Sequence, residues 1–298
     1  ARIRGLCSPR DCSCGDGAGG AEGVAEDFCN IHECLEKLLG RGYKLYTGFA
    51  ARGGRLLVYT PEGFVPLDSL PRCLAGGGCR GEKPQARRRV GIALNPATKT
   101  VREGLLYTSE ELHVEPGFSY AALVLADSGR SVAGAFQGPG APATKLGADM
   151  KTVSIKVSEA GASPERLLAS CQGEGRRWLL LLASPALLDE SPWSGVVLLD
   201  RMHAEKLFEM LVETSGLSLD GLRFRRVQVP KGSPSVEALA PGWCTPRGSP
   251  RKPMLHIPAG TVFEVEASRE AVAAIVKRGL GLGTRLGWGT VVAACVDE

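Results

Sequence analysis

Short runs of alternating apolar and polar residues, separated by glycine and proline, dominate the first half of this 298-residue chain. Such runs predict short β-strands joined by turns. They lie at residues 43–49, 55–60, 64–67, 87–94, 100–107 and 118–126. The Asn95-Pro96 pair between the fourth and fifth runs predicts a turn, so these two runs are expected to form a β-hairpin.

The pattern begins again after about residue 150. Apolar residues at helical spacing predict helices at residues 202–214 and 268–277, and Ser268 is the expected cap of the second helix. Residues 254–267 predict two paired strands around Pro258-Ala259-Gly260. Further strands are predicted at residues 153–157, 178–183, 224–229 and 291–296.

Many short strands, few helices and two similar halves predict an α+β fold in which helices cover antiparallel sheets. We expect two tandem ferredoxin-like, or RRM-like, domains with long loop insertions. The first domain is predicted at residues 1–150 and the second, which contains a glycine-rich loop, at residues 151–298.

The glycine-rich loop is the most distinctive segment of the chain. It has five glycines within residues 279–289 and follows Lys277 and Arg278. Glycine lets the backbone approach a partner closely, and exposed N–H groups can hold an anionic oxygen. The predicted order is helix, loop, strand, whereas a dinucleotide-binding fingerprint needs a strand before its glycines and a helix after them. We therefore expect a phosphate-contacting loop, and the alternative is a tight structural turn after a Gly279 helix cap.

Charge and composition exclude several other functions. The second glycine cluster, residues 76–81, runs into Glu82-Lys83 and lacks the Gly-Lys-Ser/Thr of a Walker site. Net charge is only +4, so a basic surface for nucleic acid must come from local clustering. No apolar run is long enough for a membrane span and no signal-peptide pattern is present, so we expect a cytoplasmic protein without a membrane partner.

Seven of the ten cysteines lie before residue 80. Intracellular disulfides are typical of hyperthermophiles, and the excess of Arg over Lys fits that source. A disulfide between Cys73 and Cys79 is favoured, and inert buried thiols are the alternative. A zinc site is a further alternative, although its spacing matches no standard finger, and we predict neither metal nor cofactor. Its candidate ligands are Cys12, Cys14, Cys29, Cys34 and His32.

The C-terminal helix, glycine-rich loop and strand resemble the signature of the RAMP superfamily of CRISPR proteins. Residues 90–107 are similar to a strand-and-hairpin segment of its larger members. The order Val229-Pro230-Lys231, Pro241-Gly242-Trp243 and Pro258-Ala259-Gly260 is similar to the third subunit of the type III-B Cmr effector. The resemblance covers roughly residues 87–290, and by it the chain lacks the first β-strand of the family.

This resemblance implies a non-catalytic antiviral-defence scaffold that holds the 5′ handle of the CRISPR RNA. Its implied protein partners are the large polymerase-like subunit and neighbouring RAMP subunits, with target RNA met only indirectly. The type III-A sibling subunit is an alternative. Single-stranded RNA is held by Lys and Arg contacts and by stacking of bases on aromatic rings. Candidate RNA contacts are Lys277, Arg278, Gly279, Gly281, Gly283, Arg285, Gly287, Gly289, Arg87, Arg88, Arg89, Lys99, Arg102, Tyr107 and Lys145.

A CRISPR RNA-processing endoribonuclease of the RAMP type is the enzymatic alternative. Some relatives cleave RNA by acid–base catalysis that uses a histidine. The four histidines here are His32, His113, His203 and His256, and none has a convincing catalytic partner nearby in the sequence. No G-x-S-x-G nucleophile motif is present. We therefore predict that the protein is not an enzyme, and expect each histidine to be structural.

Overall fold

The computed structural model describes residues 35–36, 39–76, 78–95, 97–113, 115–126, 143–146, 151–158, 168, 177–188, 201–231, 236–239, 243–244, 249–250 and 254–296. The strands of the N-terminal half are β1 (Lys44–Arg52), β2 (Arg55–Thr60), β3 (Gly63–Pro66), β4 (Gln85–Leu94), β5 (Val101–His113), β6 (Phe118–Leu125) and β7 (Ala143–Leu146). Those of the C-terminal half are β8 (Lys151–Ser154), β9 (Arg177–Leu182), β10 (Ala186–Leu187), β11 (Arg223–Gln228), β12 (Glu237–Leu239), β13 (Trp243–Cys244), β14 (Ser249–Pro250), β15 (Met254–Ile257), β16 (Val262–Glu266) and β17 (Val291–Cys295). The helices are α1 (Leu70–Leu74), α2 (Arg201–Thr214) and α3 (Arg269–Arg278).

The central sheet of the C-terminal half has the strand order β11-β16-β9-β17, and all neighbouring strands are antiparallel. Along the chain these strands alternate with the two longer helices in the order β9, α2, β11, β16, α3, β17. This connectivity and strand order are those of a ferredoxin-like unit. The prediction of an antiparallel α+β fold is confirmed, and the C-terminal half has the predicted topology.

The N-terminal sheet has a different order. Strands β3, β2 and β1 form a meander, and β6 pairs with the other side of β1. This order does not repeat that of the C-terminal sheet. A second ferredoxin-like domain and a division of the chain near residue 150 therefore stay predictions.

The two sheets share one hydrophobic core. Residues of β9 such as Trp178 and Leu180 belong to the same buried cluster as Phe49 of β1 and Val58 of β2. Phe208 of α2 also lies in this cluster. The short apolar strands predicted from the sequence are thus buried because one face of each sheet covers a common core.

Two predicted pairings can be compared with the structure. The β4–β5 hairpin is confirmed, with its turn at residues 95–100. The prediction that residues 254–267 form two strands paired with each other is wrong. Strand β15 pairs with β10 and β12, whereas β16 pairs with β9 and β11, so the segment between them crosses from one sheet to another.

A disulfide links Cys73 and Cys79, as predicted, with 5.1 Å between their Cα atoms. It ties the end of α1 to the segment that precedes β4, and such a covalent link restricts the unfolded chain. The cysteines and His32 of the alternative zinc site lie outside the described residues. None of the helices in the described ranges is long and apolar enough to cross a membrane.

Candidate nucleic-acid interface

Helix α3 leads into the glycine-rich loop and places two cations at the surface. Its first turn is capped by Ser268, whose Oγ accepts a hydrogen bond from the Ala271 N–H at 3.2 Å. Val272, Ile275 and Val276 form its buried face. Lys277 and Arg278 are exposed in its last turn, where cations interact favourably with the helix dipole.

The backbone N–H groups of the glycine-rich loop are mostly used within the protein. The N–H groups of four glycines each donate to a backbone carbonyl oxygen at 2.6–3.2 Å. The donor and acceptor pairs are Gly279 and Ile275, Gly281 and Leu211, Gly287 and Thr284, and Gly289 and Pro185. The sequence-based expectation that these N–H groups hold a phosphate is therefore wrong for the four. The alternative expectation, a structural turn, describes them better.

Close backbone packing explains why these positions are glycine. An added Cβ at Gly281 would lie 2.3 Å from the carbonyl oxygen of Leu187, and one at Gly289 would lie 1.7 Å from that of Leu280. Both glycines have positive φ, at +83° and +59°. Residues 283–286 and Trp288 are only partly buried, so this part of the loop is the most open to an external ligand.

The loop also joins the two sheets. Strand β1 has an irregularity between Tyr46 and Phe49, where its register against β6 shifts. There the Thr47 hydroxyl donates to the carbonyl oxygen of Gly287 at 2.6 Å. The hydroxyls of Ser184 and Thr290 donate to the same oxygen at 2.7 and 3.0 Å. One buried carbonyl thus connects the N-terminal sheet to the end of β9 and the start of β17.

Arg285 has three partners inside the protein. Its Nη1 lies 3.0 Å from Glu36 Oε1, its Nη2 donates to the carbonyl oxygen of Arg41, and its guanidinium lies 4.5 Å from the Tyr43 ring centroid. Burial raises the pKa of Tyr43 to about 12, although the nearby Arg285 charge opposes the shift and Glu36 adds to it. Arg285, predicted from sequence as an RNA contact, fixes the segment that precedes β1.

Arg285→Glu is therefore expected to destabilise the isolated protein. The variant loses the ion pair, the carbonyl hydrogen bond and the ring contact, and places two carboxylates side by side. Because Arg285 is 39% exposed, solvent screens these interactions, and we expect a loss of about 1–2 kcal/mol. Urea unfolding measures it. Lys206→Glu, an exposed charge reversal in the middle of α2, is the control, and equal midpoints for the two variants would contradict the anchoring role.

Two β1 side chains cap the end of α3. Lys44 Nζ donates to the carbonyl oxygen of Arg278, and the Tyr46 hydroxyl lies 3.4 Å from that of Lys277. The Lys44 ammonium also lies 4.9 Å from the Tyr46 ring centroid. Burial, assisted by the charge of Arg278, lowers the pKa of Lys44 to about 7. Sequence reasoning missed this lysine because its carbonyl acceptor, Arg278, lies more than two hundred residues away in the chain.

The β4–β5 hairpin places the three predicted arginine contacts of β4 on two different faces. Its register pairs Arg87 with Glu111, Arg89 with Ser109, and Gly91 with Tyr107. Residues opposite each other share a face, and faces alternate along a strand. The positions of Arg87, Arg89 and Tyr107 therefore lie on one face. Arg88 lies on the other face, together with the exposed Val90 and Ile92.

The base of the hairpin is held by Arg52. Its Nη1 lies 2.6 Å from Glu82, just before β4, and its Nη2 lies 3.3 Å from Glu115, just after β5. Backbone hydrogen bonds between Phe64 and Glu82 at 2.8 and 2.9 Å add a second link to the N-terminal sheet. The hairpin thus has a fixed base, while its arginines are exposed along β4.

The remaining predicted contacts are more scattered. Lys99 lies in the hairpin turn, is exposed and has a positive φ of 57°. Arg102 lies in β5, and Lys145 lies in β7 at the position paired with Thr152. The structure therefore brings the predicted residues together in two sets, one on the hairpin and one at the end of α3, with Lys145 in a separate pair of strands.

The histidines differ in their surroundings. His256 is buried in β15, its Nε2 lies 3.5 Å from Glu237 Oε2, and burial lowers its pKa although Glu237 opposes the shift. His113 is exposed at the end of β5, and His203 lies in α2. In the part of the chain that the structure describes, no group of three or more His, Cys, Asp and Glu residues could hold a metal ion.

Comparison with known protein families shows to which family this chain belongs. Residues 53–295 match the sequence profile of the family described as CRISPR-associated protein (Cas_Cmr3). The chain belongs to this family. The resemblance to the third subunit of the type III-B Cmr effector is thereby confirmed, and this Cas_Cmr3 protein is a RAMP-type CRISPR protein.

Solved structures with a similar chain trace come from CRISPR systems. A chain of the Type III-B Cmr-beta bound to cognate target RNA has 14% identity and a TM-score of 0.49, with 82% of this chain and 70% of that chain covered. A chain of the same assembly with AMPPnP has 14% identity and a TM-score of 0.47, covering 84% and 72%. Cas6e from Escherichia coli has 11% identity and a TM-score of 0.28, covering 89% and 91%. No curated protein sequence matches the chain.

Proposed function

We propose that this Cas_Cmr3 protein is the guide-RNA scaffold of a type III-B effector. In this role it holds the 5′ handle of the CRISPR RNA and docks to the large polymerase-like subunit without cleaving RNA itself. The observation that carries the proposal is the family match over residues 53–295 together with the basic face of the hairpin.

The hairpin supplies the chemistry that single-stranded RNA requires. Arg87 and Arg89 are exposed on one face, where Glu111 lies opposite Arg87 and Ser109 opposite Arg89, and their guanidinium groups can pair with phosphate oxygens. Tyr107 occupies a position on the same face, which suits stacking of a base. Lys99 at the turn extends the positive charge to the tip of the hairpin.

The end of α3 is the second proposed contact. Arg278 Nε donates to the carbonyl oxygen of Ser215 at 2.9 Å, which fixes the guanidinium while its side chain stays exposed. Lys277 is exposed beside it. RNA is therefore expected to meet mainly cationic side chains here, since the N–H groups of four of the loop glycines have protein acceptors.

Matched neutral substitutions test the RNA contact. Arg87→Gln combined with Arg89→Gln is expected to lower guide-RNA retention about tenfold at physiological salt, because two phosphate contacts are lost. Arg88→Gln, on the opposite face, is the control and should change retention less than about twofold. Retention is measured as guide RNA per assembled complex after a salt wash. Equal retention in the wild type and the double variant would overturn the proposal for this face.

A cleavage assay tests the non-catalytic part. Burial and the lowered pKa of His256 favour a structural role for that residue, whereas His113 is exposed at the hairpin base. The chain incubated with repeat RNA is expected to leave the RNA intact. Fragments that form with the wild type and disappear with His113→Ala would instead support the endoribonuclease alternative.

A further inference from the structure

The outer face of the N-terminal sheet, opposite the common core, bears a cluster of aromatic rings. We call the following residues the aromatic patch: the ring cluster of Tyr59, Phe64, Phe118 and Tyr120, together with the exposed Val124, which lies further along β6 on the same face. Phe64 is at its centre, with ring centroids 5.5 Å from Tyr59, 5.5 Å from Phe118 and 6.1 Å from Tyr120, all edge to face. These rings cover Ala50 and Leu57 and thus form a second, smaller apolar layer.

Two residues of the patch face solvent, while Phe64 at its centre is buried and Tyr59 and Phe118 are half-buried. Tyr120 is 48% exposed and Val124 is 39% exposed. Both belong to β6, which lies at the edge of its sheet and pairs only with β1 among the described strands. Leu125, the last residue of this strand, is 37% exposed. An edge strand with several exposed large apolar side chains is a surface that proteins normally cover.

The charged residues around the patch indicate what kind of partner covers it. On the rim, Arg52 lies between Glu82 and Glu115, at 2.6 and 3.3 Å, so its charge is already compensated. Arg55 is the register partner of Arg52, which gives this rim two arginines and two glutamates. A surface for RNA needs uncompensated positive charge, whereas protein interfaces combine an aromatic centre with a charge-balanced rim.

We infer that the aromatic patch and the β6 edge dock a neighbouring protein subunit of the effector complex, one that presents an apolar surface of low net charge. The inference rests on membership in a type III-B effector and names the surface for one of its protein contacts. It is independent of the hairpin face proposed for RNA, because no residue of the patch belongs to that face.

Val124→Asp tests the docking surface. Val124 belongs to none of the ring contacts of the patch, so the variant is expected to fold with an unchanged melting temperature while losing retention of the neighbouring protein subunit by about tenfold. Ile92→Asp is the matched control, since Ile92 is 49% exposed but lies on the hairpin. Native mass spectrometry of co-expressed complexes counts each subunit, and guide-RNA binding by the isolated full chain is measured in parallel.

The two readouts separate this inference from the RNA proposal. Loss of a protein subunit with Val124→Asp, but not with Ile92→Asp, supports docking even if the isolated chain binds no RNA. Full subunit retention in Val124→Asp and in Tyr120→Ser would overturn the inference. Loss of RNA binding by the isolated Val124→Asp chain, with all subunits retained, would identify the patch as an RNA surface and also overturn it.

Discussion

Gly289→Ala is expected to prevent the chain from reaching its native fold. The added methyl group would lie 1.7 Å from the carbonyl oxygen of Leu280, whose own N–H donates to the carbonyl oxygen of Gly289 at 2.9 Å. Moving the backbone at Leu280 away from that at Gly289 would break this hydrogen bond just before β17. The cost of such a clash, added to a φ of +59°, should exceed about 4 kcal/mol. Soluble yield and thermal unfolding measure the loss.

Gly221→Ala is the matched control for this prediction. Gly221 also has a positive φ, +72°, but an added Cβ there meets nothing within 4 Å. Only the conformational preference is lost, so we expect a cost of about 1 kcal/mol and a folded protein. If both variants melt at the same temperature, the close packing of the glycine-rich loop does not stabilise the fold.

The conformation of the glycine-rich loop could be predicted from local sequence, but its contacts could not. Its glycines predict positive φ and close approach, and the structure contains both. The sequence does not say what approaches, because the acceptors of the glycine N–H groups, such as Leu211 and Pro185, lie about 70 and 100 residues earlier in the chain. A phosphate oxygen and a protein carbonyl oxygen can both approach a glycine backbone closely, so the glycines do not distinguish between them.

Elements set by local periodicity were predictable. Helix α3 begins after its Ser268 cap and ends before its Gly279 cap, and α2 was expected within one residue of its observed bounds. The β4–β5 hairpin followed from the Asn95-Pro96 turn. In each case the chemistry that starts or ends the element lies inside it or beside it.

The aromatic patch was missed for a different reason. In β6, Phe118, Tyr120 and Val124 alternate with Ala121 and Leu123, so both faces of the strand are apolar. A strand of this kind is typical of a position covered on both sides. That signal was present in the sequence, but only the structure shows which face lies toward solvent.

The free energy of unfolding is expected to depend on pH through the titration of Lys44. Its pKa is about 7 in the folded protein against an ordinary value of 10.5. Between these pH values the unfolded chain binds more protons, so the free energy of unfolding rises with pH and the cost of burying the charge disappears. From about pH 7 to about pH 9.5 the gain should be on the order of 3 kcal/mol.

Lys44→Met removes this titration while keeping a side chain of similar length. Its stability relative to the wild type should therefore fall by the same amount over this pH range, in urea unfolding at both ends. Lys206→Met, at an exposed position of α2, is the control and should follow the wild type at every pH. Parallel curves for Lys44→Met and the wild type would mean that the ammonium stays charged under α3. The contact between β1 and Arg278 would then be an ion–dipole interaction that does not titrate in this range.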